Sequence, residues 1–177
     1  MTEDLRYPVG KFIMPTEWDA GSMAEWRMNL AELPAKMRAA VAGLTDTQLD
    51  TPYRDGGWTV RQTVHHVADS HVNAYCRFRL ALTEDTPTIK TYLEAQWAEL
   101  PDARTLPIAP SLSILDGVHT RLLTLIDTMT PEQWRSSFMH PEHGRTMTLA
   151  QTAALYSWHS RHHVAHITAL RSRRGWN

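Results

Sequence analysis

Two histidines four residues apart on a helix project from the same face, and one segment of this chain contains two such pairs, His159/His163 and His162/His166. A helix turns about 100° per residue, so residues i and i+4 stand side by side. That is the usual way for one helix to offer two imidazoles to a single metal ion. Spacing alone does not choose between the pairs. A third ligand has to come from another element, and the segment 65–71 supplies His65, His66 and His71. Around His66, the residues Thr59, Gln62, Ser70, Asn73, Arg77 and Glu84 fall near one angle. They form a polar stripe opposite Val60, Val64, Val67, Phe78 and Leu82. His65 and His71 lie off that stripe by about 100° or more. Such a stripe is ordinarily a solvated face. Three helix-borne histidines without a thiol cluster nevertheless match sites in which three protein ligands leave a position open for water or substrate.

The other reactive residues have plainer expected roles. His71 faces the apolar side and reads as a core residue; His119, His140 and His143 read as surface groups. His162 and His166 read as packed imidazoles or as groups that orient a ligand. Trp58 and Trp158, each next to the histidine motifs, are the expected walls of the site. Cys76 reads as a small buried hydrophobe, since nothing beside it would lower a thiol pKa.

The elements that must hold these residues are announced by a repeated start signal. Thr-x-x-Gln occurs at Thr45–Gln48, Thr59–Gln62, Thr130–Gln133 and Thr148–Gln151. In each, the threonine hydroxyl can accept from the N3 amide while the glutamine reaches back to the cap. The predicted helices run from about Asp19 to Leu44 with a break or kink at Pro34, over a single turn at 45–49, and from Thr59 to about Glu84. Further helices are predicted over about Ser111–Met129, over a short piece at 130–135, and from Thr148 to about Arg173. Residues 85–110 carry four prolines and read as a long crossover with a short turn near Glu94–Leu100. A small hairpin around Gly144, within 135–147, is the one place for strands. The reading is an all-α four-helix bundle with a long crossover connection, short extra helical turns and a non-simple topology.

Composition narrows the function. At 177 residues, with 42% hydrophobic and 21% charged residues, the chain suits one soluble domain, 1–177. A formal net charge of −1 gives no footprint for nucleic acid or an anionic membrane. A single cysteine excludes an internal disulfide and a thiolate zinc cluster. Met1–Arg6 lacks a basic region followed by an apolar run, and no apolar run approaches the roughly 20 residues of a membrane span. A cytoplasmic protein is the expectation.

The stretches Tyr53-Arg54-Asp55-Gly56-Gly57-Trp58-Thr59-Val60-Arg61-Gln62, Val64-His65-His66-Val67-Ala68-Asp69-Ser70-His71 and Trp158-His159-Ser160-Arg161-His162-His163-Val164-Ala165-His166-Ile167 resemble the YfiT family. That family belongs to the DinB-like superfamily of metal-binding four-helix bundles. The likeness extends to Tyr7–Phe12 and Gly175-Trp176, so it covers essentially the whole chain. It implies His66, His159 and His163 as ligands of one divalent metal ion per subunit, zinc or nickel, and so settles what spacing left open. It also implies a homodimer and an enzyme: a metal-dependent hydrolase, or a transferase joining a bacillithiol-like low-molecular-weight thiol to electrophilic or xenobiotic substrates.

Both chemistries start at an open metal position, with a metal-bound hydroxide in one case and a metal-activated thiolate in the other. Thiol transfer is the favoured expectation, because a metalloprotease-type helix carries Glu beside its first histidine and here Ser160 follows His159. A metal-binding module without catalysis is the third reading. Arg54, Arg77 and Asn73 are the expected contacts for anionic groups of a thiol cofactor, and Glu84 is the expected base.

Overall fold

The computed structural model describes residues 4–176; Met1–Glu3, read for a leader, and the side chain of His143 lie outside the described residues. In chain order the elements are α1 (Ala20–Val41), α2 (Asp46–Leu49), α3 (Val60–Thr83), α4 (Glu94–Trp97), α5 (Pro101–Thr105), α6 (Ala109–Thr128), the hairpin strands β1 (Ser137–His140) and β2 (Arg145–Thr148), and α7 (Leu149–Arg174). The four long helices, α1, α3, α6 and α7, make the bundle.

The Thr-x-x-Gln signals form the reciprocal hydrogen bonds that their spacing predicts. Thr45, Thr59 and Thr148 cap α2, α3 and α7 as complete capping boxes. Thr130 and Gln133 make the same pair of bonds, yet they open only a 3-10 turn at Gln133–Arg135 that leads into the hairpin. Gly175, at φ 64°, closes α7 in the left-handed conformation that glycine adopts without a Cβ penalty.

The principal packing partners form a ring: α1 against α6 and α7, and α3 against α6 and α7. The first and second long helices therefore sit on a diagonal, as do the third and fourth. An up-and-down bundle would instead make consecutive helices neighbours. The long connection between α3 and α6 does not stay away from the bundle. Gln62 Nε2 donates to the Ala98 carbonyl at 2.8 Å, and His65 bonds to the Leu106 carbonyl and to Ser111. Arg61, buried, bridges Asp50, Asp46 and the Leu106 carbonyl. The first turns of α3 are thereby buried on every side, so here the stripe around His66 is not the solvated face that such a stripe ordinarily is.

The core is divided. One apolar cluster gathers Leu30, Phe78, Leu122, Phe138 and Leu149; the other gathers Leu33, Met37, Val60, Val64, Leu115 and Ile167. A polar layer crosses the bundle with them, including His71, His119 and Asn29, whose amide donates to Ser157 at 3.0 Å.

Of the break or kink expected at Pro34, the break does not occur: α1 is one helix through it. Proline at position 34 has no N–H for the carbonyl of Leu30, four residues earlier. That carbonyl is satisfied from outside the helix, by His119 Nδ1 at 2.7 Å. Two expectations about burial are overturned. Cys76 is exposed, because it shares the outer face of α3 with Arg79 and Thr83. His119 is 1% exposed rather than a surface group, since it stands on the apolar face of α6 between Leu115 and Leu122.

Candidate metal centre

His66 on α3 and His159 and His163 on α7 come together with their ring nitrogens all within 4.8 Å of one another. His66 Nε2 and His159 Nε2 are 3.3 Å apart. Two imidazole nitrogens bound at about 2.0–2.1 Å to a tetrahedral ion stand about 3.3–3.4 Å apart, so this pair fits a zinc-sized cation. Burial holds His66 down to about 4, and it holds His159 and His163 well below the usual histidine range. All three are therefore neutral near pH 7 and free to act as ligands.

The positions of their protons follow from hydrogen bonds to carbonyls, which can only accept. His119 gives its Nδ1–H to Leu30, so its Nε2 must accept; His71 Nδ1 lies 3.0 Å from it and donates. His71 Nε2 is then an acceptor, 3.2 Å from His159 Nδ1, which donates. The lone pair of His159 is left on Nε2, facing His66. On the other side, His166 Nε2 donates to the Arg6 carbonyl at 3.2 Å, so its Nδ1 accepts from His163 Nδ1 at 3.4 Å. That leaves the lone pair of His163 on Nε2. Two chains of imidazoles, each ending on a backbone carbonyl, thus fix the tautomer of two ligands, the arrangement by which an outer partner orients a metal-binding imidazole.

His162, His163 and His166 form a second close set. Three features weigh against it as the cation site. His166 is tied to Arg6 and stacked under Tyr53, with ring centroids 3.9 Å apart. Burial, with smaller contributions from the positive charges of Arg54 and Arg173, holds the pKa of His166 down to about 4, and those two charges oppose a cation beside it. The cavity in front of the first set does not reach His166.

That cavity has a volume of about 360 Å³, the size of a small-molecule site. His66, His159, His162 and His163 line one end, between Trp58 and Trp158. The Trp58 ring lies 4.5 Å from that of His66; the Trp158 ring stacks on His162 at 4.3 Å and its Nε1 donates to the Gly10 carbonyl. Arg77, Ser70 and Tyr156 line the cavity as well, and Glu94 and Glu142 reach it from the exposed side.

Other expected residues stand elsewhere. Glu84 caps the far end of α3 and is exposed; it shares the angle of His66 but sits 18 residues along, about 27 Å at 1.5 Å per residue. Asn73 does not line the cavity, and its amide donates back to the Asp69 carbonyl at 2.9 Å. Arg54 lies in a separate cleft with Arg173 and Arg174, its guanidinium over the Tyr53 ring. His140 is buried and lines the cavity, because β1 turns it inward beside Phe138. His71 is fully buried as expected, but as a link to a ligand and not as inert packing.

A diagonal four-helix bundle presenting three neutral imidazoles to an open cavity defines a class of metal-binding helical protein. The DinB superfamily matches residues 29–167, and this chain belongs to that family. It is 49% identical over 175 residues to a protein of Bacillus licheniformis and 48% identical over 174 residues to YfiT of Bacillus subtilis. These alignments cover 99% of both chains in the first case and 98% of both in the second. Both relatives bear the name "putative metal-dependent hydrolase". The solved structure of Bacillus subtilis YfiT superposes with a TM-score of 0.95, at 48% identity, covering 98% of this chain and 99% of that one. Its description as an "unusual four-helix bundle topology" agrees with the diagonal helix pairs found here.

Proposed function

We propose that this protein is an enzyme that holds one divalent metal ion on His66, His159 and His163 and uses it to make a nucleophile. The observation that carries the reading is the convergence of three neutral imidazoles on the wall of a cavity large enough for a substrate. A metal ion held by three imidazoles supplies an open position at which water or a thiol loses its proton near neutral pH.

We take the nucleophile to be a small thiol and the reaction to be its transfer to an electrophilic carbon. The thiol loses its proton, a sulfur–carbon bond forms, and the leaving group departs with its electron pair. Trp58 and Trp158 flank the histidines and keep the sulfur in an apolar setting. Glu94 and Glu142, at the open side, have carboxylate oxygens to take up the released proton. Those same carboxylates favour a second reading, hydrolysis, because they provide the base that the histidine motifs lack. The relatives' names point the same way.

Zinc- and nickel-loaded protein mixed with thiols and monochlorobimane, beside a panel of esters and amides, separates the two. Conjugate formation that stops in His66→Ala supports thiol transfer. Ester or amide turnover without any conjugate overturns it in favour of hydrolysis.

We further propose a homodimer. Leu93, Trp97 and Leu100 are large apolar residues exposed on the connection between α3 and α6, and a second copy would cover them. Light scattering gives the mass directly; a monomer at micromolar concentration would overturn the dimer.

A further inference from the structure

Arg77 enters the cavity from the second half of α3, on the polar stripe of His66. It is 9% exposed, and its Nε is sealed from solvent with no hydrogen-bond partner. Its Nη1 donates to Tyr156 Oη at 3.2 Å. No carboxylate among the described residues forms an ion pair with it; Glu94 and Glu142, on the cavity's open side, stay exposed. A guanidinium buried without a counter-ion is costly, and burial of arginine is ordinarily accompanied by pairing. The contrast lies about four and a half turns earlier on the same helix in Arg61, likewise buried but bridged by Asp46 and Asp50.

The groups around Arg77 complete the picture. Tyr156 Oη accepts from Arg77 and, at 3.5 Å, from Ser70, so its own proton is free to be donated. Tyr92, beside Ser70, is pushed up by burial and stays neutral. A cation and a hydroxyl donor converging on one cavity wall make a seat for an oxyanion. Tyr156 also ties this seat to the histidines: its ring centroid is 5.6 Å from that of His159, one helical turn away on α7.

We infer that Arg77 and Tyr156 bind a carboxylate of the substrate or co-substrate, one tyrosine ring away from the metal-binding histidines. The protein's thiol is accordingly an acid: a molecule with its reacting sulfur at the histidines and an anionic group at Arg77. This deepens the metal-enzyme reading, on which it rests only for what stands at the other end of the cavity.

The test is an NMR titration of zinc-loaded protein with mercaptoacetate, mercaptopropionate and mercaptohexanoate, each beside its neutral amide, and with propionate beside propionamide. The acids should bind at least about tenfold more tightly than the amides, since a charge-assisted bidentate contact has that worth. Arg77→Gln should erase the preference while leaving amide affinity within about twofold, and Arg77→Lys should keep part of it. Acid and amide binding equally well, or both weakened alike by Arg77→Gln, overturns the carboxylate seat even if the thiols bind. An Arg77-dependent preference for propionate, with no gain from the thiol group, leaves the seat standing and removes the metal reading instead. Thermal melts provide a second readout. Removing a buried charge without a counter-ion should leave Tm unchanged or raised in the ligand-free protein, whereas a fall of several degrees would mark Arg77 as a structural strut for Tyr156 and overturn the inference.

Discussion

His119 Nδ1 bonds the carbonyl of Leu30 at 2.7 Å, and that carbonyl is available because Pro34 has no N–H to give it. A proline inside α1 thus anchors a chain that runs from Leu30 through His119 and His71 to His159, across all four long helices. What reads in the sequence as a helix breaker serves as the origin of a proton arrangement at the proposed metal ligand.

The outer links should therefore control metal affinity without touching the metal. His71→Leu removes the acceptor for His159 Nδ1–H, and loss of such a partner costs about 10–100-fold in affinity. Competition against a chromophoric chelator reads this directly. His71→Leu protein that binds metal as tightly as wild type would show that the relay has no such role.

Pro34→Ala returns an N–H to α1, which then competes with His119 for Leu30. Helix content should be unchanged or higher, because alanine suits a helix interior better than proline by about 3 kcal/mol. Metal affinity should nonetheless fall. Circular dichroism and the same chelator competition are expected to move in opposite directions, and parallel movement would contradict the account.

Acid should destabilise the metal-free protein through its buried imidazoles. Burial holds His119 down to about 4, against about 6.5 in the unfolded chain. Between those values only the unfolded chain takes up the proton. Stability is complete above about pH 6.5 and is lost as pH falls toward 4, by up to about 3 kcal/mol for this group. Urea titrations at several pH values should show a shallower decline in His119→Leu than in wild type. Equal slopes would mean that His119 is not held neutral.

Gly57 has no room for a side chain: a Cβ there would stand 2.8 Å from Arg54 Cγ and 3.2 Å from the Tyr53 ring. Gly57→Ala should cost about 1–3 kcal/mol, as overpacking does, and displace Tyr53 from its stack on His166. Chemical denaturation measures the cost; a neutral effect would show that the Tyr53–Gly57 turn relaxes freely.

Much of the framework was readable because its signals are local. Thr59 and Thr148 with their glutamines start the two helices that carry the histidines, and the i, i+4 spacing places His159 and His163 together. Contacts far apart in sequence were not readable in the same way. Glu84 shares an angle with His66, but a helical wheel hides the distance along the axis. That Ala98 and Leu106 fold back over the polar stripe of α3 was not readable, because nothing local shows it. His119 did leave a signal that the surface reading passed over: it stands in step with Leu112, Leu115, Leu122 and Ile126 on one apolar face. Tyr156, three residues before His159 on the same side of α7, was open to the same reasoning.

The central claim is the ligand set, and the two neighbouring triads make it testable by metal content. Elemental analysis of purified wild type, His66→Ala, His159→Ala and His162→Ala, each reloaded with zinc and desalted, should give about one ion per chain for wild type and His162→Ala. His66→Ala and His159→Ala should retain little. Zinc kept by His66→Ala and lost by His162→Ala would place the ion in the other triad and contradict the account.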